Sequence, residues 1–421
     1  MKYAVVTFGC RVNQADSLEI EGELRAMGAV GAAPSEADLV IVNTCSVTAA
    51  ADQGARQAIR RVARDNPAAR IVVTGCYATR APADLASLPQ VAHVVPNVRK
   101  DDLVRDLAHS WGLTTAERFA VGDGPCGSLL EPGVAGRTAL TLRVQTGCDE
   151  RCSYCIIPST RGAGRSKPLS AIRASVARAA AAGYREVAIT GVHLGSYGRD
   201  LGDGTSLLSL ARELAAWPGD MLFRLSSLEP MDCSRELVDL VAASPRLAPH
   251  FHLPLQHAAG EMLAAMRRPY TLATYRALVD AIRERMPHAS IGSDVIVGFP
   301  GETDAHATAL EAYLETSPLT HVHVFPYSHR PGTEASGFND VPPSAVVRAR
   351  GAAVRAVGER LSRAFRAAQV GTVRRALVVD DGSAAMTDNY LRLALDVTRS
   401  RNEWIEVEVL SGNLGRVMRL S

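Results

Sequence analysis

The sequence has little excess charge and no long apolar run, and each shortage removes a class of protein. With 46 basic and 44 acidic residues the net charge is +2, so no global field announces a nucleic acid and any basic surface must be local. No apolar stretch reaches the ~18 residues that a membrane span needs. Residues 1–9 hold only a short strand-like run, too short for the apolar core of a signal peptide and without a small-residue cleavage site. A cytoplasmic protein with no membrane partner is expected, and in that reducing setting cysteines serve as metal ligands or catalytic groups more often than as disulfides. Lysine is scarce beside arginine, which reads as genome composition rather than function. Neither the four-cysteine ferredoxin run nor the two CxxC pairs of a zinc ribbon occurs.

What is present is a 421-residue chain, 47% hydrophobic and 21% charged, long enough for two or three soluble domains with real cores. It carries eight cysteines. Three of them, Cys148, Cys152 and Cys155, follow the spacing CxxxCxxC, with Tyr154 just before the last. Thiolates suit iron, and three of them hold three irons of a cubane cluster while the fourth is left without a protein ligand. An open iron is a place for a small molecule to bind. A structural zinc knot is the plain alternative.

Nearer the N-terminus a second trio is spread out. The run Ala4-Val5-Val6-Thr7 ends at Gly9-Cys10, Leu39-Val40-Ile41-Val42 ends at Asn43-Thr44-Cys45, and Ile71-Val72-Val73-Thr74 ends at Gly75-Cys76. Helix-like stretches intervene, one opening at Asp16-Ser17 and stopping at Gly28, another over 53–64. Short β-branched strands alternating with helices predict a parallel sheet, whose carboxyl ends line one edge, where ligands bind. Cys10, Cys45 and Cys76 are therefore expected to meet in space and to form a second site with an open iron. Three buried thiols packed as small hydrophobes are the alternative. A helix over 101–108 and a glycine-rich linker containing Cys126 close this part. Cys126 and Cys233 have no partner at ligand spacing and are read as bystanders.

From Leu140 the chain alternates again through six strand–helix units, ending at His321-Val322-His323-Val324-Phe325-Pro326-Tyr327. Six such units predict a partial parallel (β/α)6 barrel with its site at the carboxyl ends of the strands. Polar residues recur there: His193, Ser227, Glu229, Gln256, Asp294 and Glu302. Their common position predicts a shared pocket. His321 and His323 alternate along one strand and so face one side; a packing role is expected for both. The basic, glycine-rich segment after Cys155 offers Arg161, Arg165 and Lys167 to the phosphate oxygens of a large anionic substrate, a solvated loop being the other reading. A helical stretch over 342–369 follows. Within 341–366 it carries six arginines against one glutamate, as a solvated face or one turned to RNA. The tail alternates in runs over 375–379, 389–395 and 404–409, which predicts a small all-β barrel with Arg392 as a nucleic-acid contact. The expected divisions are an N-terminal α/β domain over 1–125, a linker over 126–137, a barrel over 138–341, a connecting helix over 342–369 and a β-module over 370–421.

Taken together, these motifs resemble the methylthiotransferases, a family of radical S-adenosylmethionine (SAM) enzymes. The likeness rests on Phe8-Gly9-Cys10 with Asn13-Gln14, Asn43-Thr44-Cys45-Ser46-Val47, Thr74-Gly75-Cys76 and the CxxxCxxC segment. Leu253-Pro254-Leu255-Gln256, Gly298-Phe299-Pro300-Gly301-Glu302 and Phe325-Pro326-Tyr327-Ser328 extend it over nearly the whole chain. The resemblance implies an N-terminal domain holding an auxiliary [4Fe-4S] cluster on Cys10, Cys45 and Cys76. It implies a radical SAM barrel whose [4Fe-4S] cluster on Cys148, Cys152 and Cys155 chelates SAM, and a C-terminal TRAM domain. Tyr154 would lie against the adenine of SAM, and His193, Ser227, Glu229, Gln256 and Asp294 would hold its ribose and amino-acid parts. The implied partners are the anticodon arm of a tRNA and an electron donor of flavodoxin or ferredoxin type; the sulfur source stays open. Three branches of the family modify isopentenyladenosine in tRNA, threonylcarbamoyladenosine in tRNA, or an aspartate of a ribosomal protein. Gly9-Cys10-Arg11-Val12-Asn13-Gln14, Ser46-Val47-Thr48 with the basic run over 56–61, and Ile156-Ile157-Pro158 look most like the threonylcarbamoyladenosine branch. That branch adds a methylthio group to C2 of the adenine beside the anticodon.

Overall fold

The computed structural model describes residues 1–111, 132 and 138–418. The linker expected over 126–137, apart from residue 132, and Cys126 lie outside the described residues.

The N-terminal part is a five-stranded parallel sheet. β1 (Lys2–Thr7), β2 (Val30–Gly31), β3 (Leu39–Thr44), β4 (Arg70–Gly75) and β5 (Val91–Val95) lie in the order β2-β1-β3-β4-β5. β1, β3 and β4 are the three strands legible in the sequence; β3 and β4 are buried on both faces, as a parallel sheet demands. β2 has two residues and β5 is partly exposed, so neither shows a buried apolar run. Ile20, Leu24, Leu103, Val104 and Leu107 from helices Arg11–Ala26 and Leu103–Trp111 cover one face. Ala55, Ile59 and Val62 from helix Ala49–Asp65 cover the other.

One expectation changes here. The first helix begins at Arg11, directly after Cys10, and not at Asp16-Ser17. Asp16 has the look of an N-cap, but its carboxylate is buried against cations, as described below. Asn13 instead ties the helix start to the strand ends, donating to the carbonyls of Phe8 (2.7 Å) and Thr44 (2.9 Å). The consequence is positional: Cys10 is the residue that caps the sixteen-residue helix, so its sulfur stands at the helix N-terminus beside the strand ends.

The second part opens with β6 (Leu140–Arg143). A short antiparallel pair, β7 (Gln145–Thr146) and β8 (Arg165–Ser166), brackets the cysteine loop. β9 (Glu186–Thr190), β10 (Leu222–Leu225), β11 (His250–His252), β12 (Ser290–Val297) and β13 (His321–Pro326) follow. Strands β10-β9-β6 and β11-β12-β13 form two parallel sheets, joined by a parallel bridge from Phe223 to Leu247. The result is the expected open six-stranded barrel. Leu142, Ile189, Phe223, Phe251, Ile291 and Val295 face the surrounding helices in the main core. The alternate positions, among them Thr141, Arg224, His252, Asp294 and His323, turn to the lumen. β11 ends sooner than the run over 251–256 suggests, because Pro254 cannot donate to a ladder. The chain rejoins β12 only at Gln256, which takes φ +65° and bridges to Val295.

Helix Ser344–Gln369 packs along β13, where Gly358 approaches Val322 closely. It leads to a closed barrel of β14 (Val373–Val379), β15 (Ala384–Thr387), β16 (Arg392–Leu395), β17 (Trp404–Val409) and β18 (Leu414–Val417), ordered β14-β15-β16-β18-β17. This module is seated on the larger one. Arg224 donates to the carbonyl of Asp388 at 2.9 Å and Asn389 to that of His288 at 2.9 Å. The Tyr390 ring lies 4.5 Å from that of His250 and 5.0 Å from the Arg224 guanidinium. Among the described residues no helix is long and apolar enough to cross a membrane.

Candidate functional site: two cysteine trios at one seam

Cys10, Cys45 and Cys76 follow β1, β3 and β4 at one edge of the N-terminal sheet. Their approach depends on two glycines. Gly9 (φ +95°) lies so close to Cys45 that a Cβ would meet its Sγ at 2.6 Å, and at Gly75 (φ +103°) a Cβ would meet the Thr44 carbonyl oxygen at 2.2 Å. Asn97 donates from Nδ2 to Cys76 Sγ at 3.5 Å and to the carbonyl of Thr160 at 2.9 Å, and the Val47 amide points at Cys45 Sγ at 3.5 Å. Burial pushes the Cys45 thiol up to about 11, and the neighbouring Cys10 and Cys76 push the same way.

The second trio lies in the loop between β7 and β8. Gln145 fastens its start, donating to the carbonyls of Thr146 and Gly147 (3.0 and 2.9 Å) and accepting from the His193 amide (2.9 Å). Gly147, at φ +74°, leaves no room for a side chain: a Cβ would sit 1.9 Å from the Ala163 carbonyl oxygen. Cys148 Sγ lies 3.7 Å from His193 Nδ1, whose Nε2 meets Asp232 at 2.6 Å. Burial opposes a charge on His193, but Asp232 and Cys148 outweigh it and raise its pKa to about 10. Arg268 donates to Cys152 Sγ at 3.0 Å and to the Tyr154 phenol at 3.4 Å, and pairs with Glu229. Burial pushes Cys155 up to about 12.

The donor sets fit iron–sulfur clusters. Each trio gathers soft sulfur ligands and receives N–H···S hydrogen bonds from its surroundings, which is how proteins tune such clusters. Buried thiols with raised pKa values give up their protons only to a metal. Around Cys76, Thr74 Oγ1 and Asn97 Oδ1 are buried with no hydrogen-bond partner among the described residues, as expected beside a group the protein alone does not supply. Tyr154 packs beside Met262, Met266, Ile296 and Phe299, while the half-buried Glu229 and the buried Arg268 bring one charge of each sign close by, a lining that fits SAM.

The two trios share a fastening. Helix Ile157–Arg161, which follows Cys155, packs on helix Cys76–Arg80. Arg161 reaches across the seam to Asn13 and, at 3.0 Å, to Asp16. Asp16, 2% exposed, also receives Lys100 at 2.9 Å and Arg143 at 3.1 Å. A second clasp joins Arg330 to Asp52 at 2.7 Å, with Arg80 on the same carboxylate at 2.8 Å.

Several predicted site residues occupy unexpected places. Arg161 is 5% exposed and turned to the seam, so it offers nothing to RNA; a basic loop reads as solvent-facing only while its buried partner is unseen. Lys167 pairs with Glu19, and Arg392 with Asp380 at 2.5 Å; Arg165 is exposed. Ser227 is exposed and Gln256 half-buried at the barrel rim. Asp294 is not at a strand end but inside β12, bonded to His252 at 2.8 Å and His323 at 3.2 Å. These three could hold an ion, although their mutual hydrogen bonds already account for the arrangement. His321 packs among the imidazoles as expected, and is possible only beside Gly292, where a Cβ would lie 2.1 Å from its ring. His323 is half-exposed. Glu302 is wholly buried between His257, the Gly298 amide and Arg350, a knot between loop and helix. Arg268, Asp232, Asn97 and the Asp16 network escaped the sequence reading, since they meet the cysteine loops from far along the chain.

The fold is that of radical SAM enzymes. It resembles the cobalamin- and cluster-bound methyltransferase TsrM of Kitasatospora setae, with a TM-score of 0.57 at 19% identity over 79% of this chain and 76% of that one. The Radical SAM superfamily model matches residues 142–313, and the model of the uncharacterized family UPF0004 matches residues 2–96. The chain is 35% identical over 400 residues to the threonylcarbamoyladenosine tRNA methylthiotransferase MtaB of Aquifex aeolicus, covering 93% of this chain and 96% of that one. It is also 35% identical over 434 residues to the ribosomal protein uS12 methylthiotransferase RimO of a Roseiflexus species, covering 97% and 90%. The chain therefore belongs to the methylthiotransferase family. It is a radical SAM enzyme that transfers a methylthio group, and its cofactors are SAM and [4Fe-4S] clusters.

Proposed function

We propose that the enzyme installs a methylthio group at adenine C2 of threonylcarbamoyladenosine beside the anticodon of tRNA. Similarity to relatives of that named activity over nearly the full chain supports the reading. The observation that carries it is the meeting of two cysteine trios at one clasped seam. The target carbon bears an unactivated C–H bond, beyond the reach of acid–base chemistry near neutral pH. When bound, the clusters and SAM supply the one-electron chemistry that breaks such a bond and the sulfur that replaces the hydrogen. The chain's part is placement. Cys148, Cys152 and Cys155 would hold the cluster that meets SAM, and Tyr154, Glu229 and Arg268 would line the place of SAM itself. Cys10, Cys45 and Cys76 would hold the auxiliary cluster. The two clasps keep the sites in register, and a modified base must leave its stack to reach them.

Two triple-alanine variants, reconstituted without oxygen, test the division of labour. Changing Cys148, Cys152 and Cys155 is expected to abolish SAM cleavage and remove about half the iron, whereas changing Cys10, Cys45 and Cys76 is expected to keep cleavage and lose sulfur insertion. Retained cleavage in the first variant would refute the assignment. Mass spectrometry of tRNA nucleosides from a deletion strain tests the substrate. The equal identity to a uS12 methylthiotransferase favours a second reading, a ribosomal-protein aspartate; intact tRNA modification with a lighter uS12 protein would select it.

A further inference from the structure

We propose that Arg11 and the phenol of Tyr390 form a subsite for a carboxylate borne by the substituent on the substrate base. This deepens the threonylcarbamoyladenosine reading and rests on it, because that substituent ends in a threonine carboxylate.

Arg11 is the residue after Cys10 and the first of its helix, so its side chain starts at the auxiliary site. It crosses to the C-terminal module, where Nη2 donates to Tyr390 Oη at 2.5 Å and the guanidinium stands 5.8 Å from the ring centre. Arg11, Thr141, Glu186, Asp380, Tyr390 and Arg392 help to line a cavity of about 190 Å³ between the barrel and that module. Both carboxylates in its wall are already matched: Glu186 pairs with Arg224 at 2.9 Å and Asp380 with Arg392 at 2.5 Å. Arg11 is left over. Among the described residues no carboxylate pairs with it, and its hydrogen-bond partner is a neutral phenol. A half-buried guanidinium without an anion has lost hydration and gained little for it. Its planar fork suits a carboxylate.

Tyr390 is held there at a cost. Its φ of +71° is unusual for a bulky side chain, and strain of this kind persists only where the surroundings enforce it. Arg224, on the carbonyls of Thr387 and Asp388, supplies the restraint. The geometry of the base agrees. C2 and the N6 substituent flank the same edge of adenine, so turning C2 toward Cys10 brings the substituent's carboxylate within one arginine side chain of that cysteine. A backbone phosphate is the less apt anion, because Arg11 is half-buried in the cleft between barrel and module, whereas Arg392 stands on its exposed rim.

The test uses the loaded enzyme and anticodon stem-loop RNAs that differ only in one base: adenosine, isopentenyladenosine or threonylcarbamoyladenosine. Binding and methylthiolation are measured for wild type, Arg11→Gln, Arg11→Lys and Tyr390→Phe, with iron content and SAM cleavage as controls on folding. Wild type is expected to bind the threonylcarbamoyl RNA about ten- to a hundredfold more tightly than the adenosine RNA, the range of a charge-assisted contact. Arg11→Gln is expected to erase that preference while leaving adenosine RNA binding unchanged, with Arg11→Lys keeping part of it and Tyr390→Phe losing a few-fold. An unchanged preference in Arg11→Gln overturns the subsite, as does equal weakening toward all three RNAs, which marks a phosphate contact. Wild-type turnover of the threonylcarbamoyl RNA reports separately on the substrate reading: its absence refutes that reading whatever the variants do.

Discussion

Asp16→Asn should loosen the seam between the two cysteine trios. The carboxylate is 2% exposed and meets Lys100 (2.9 Å), Arg161 (3.0 Å) and Arg143 (3.1 Å). Arg143 has alternatives in Glu19 at 2.9 Å and Asp101 at 2.7 Å. Lys100 and Arg161 have no other carboxylate among the described residues, so the loss falls on them. Breaking a buried pair by removing one partner costs about 3–5 kcal/mol. At ~1.4 kcal/mol per tenfold, the lower end raises the population of an opened seam about a hundredfold. Hydrogen exchange on the anaerobic enzyme reads this directly in peptides covering 11–26 and 157–161. Acceleration below about threefold there would refute the account, and so would equal acceleration across β14–β18. A second change, Lys100→Met on top of Asp16→Asn, should recover part of the loss, since one unpaired charge is then gone. The pH dependence has a definite sign. Burial pushes the Asp16 carboxyl up, but Lys100, Arg161 and Arg143 overcome it and hold it well below the usual range. Its contribution is therefore full above the unfolded value of about 3.9 and declines as the pH falls toward the native one.

Two further outcomes follow from the same geometry. Gly147→Ala should displace the loop that starts at Cys148, because the new methyl would collide with the Ala163 carbonyl; iron analysis should find about half the metal lost and no SAM cleavage, and full loading would contradict the packing argument. Burial, with His252 and His323 adding to it, lowers His321 to about 4. The unfolded chain, near 6.5, then takes the proton first, so stability should fall as the pH drops from about 6.5 to 4, by about 3 kcal/mol for a shift of that size. His321→Gln should flatten that part of a denaturation-versus-pH curve, and an unchanged slope would count against it.

Much of this molecule was legible from local patterns. Three β-branched runs ending in cysteines marked the strands of the N-terminal sheet and one candidate site, CxxxCxxC marked the other candidate, and period-two alternation marked the terminal β-barrel. What stayed hidden depends on distance along the chain. Arg268 lies 116 positions from Cys152, and Arg161 lies 145 from Asp16; no window of sequence contains both members. The same blindness explains the misplaced role of Arg161. Its neighbours Gly162 and Gly164 suggest an open loop, while the acid that buries it belongs to another domain. β15 and β18, four residues each, are set by the closure of the barrel and not by their own alternation.

The seating of residues 387–390 against the catalytic barrel has a mechanical corollary. The terminal module is a jig, not an arm: whatever its outer face holds keeps one fixed offset from the barrel, set by a wedge. Lengthening helix Ser344–Gln369 would withdraw the wedge before it extended the reach, so a change in that offset would call for recutting the wedge itself.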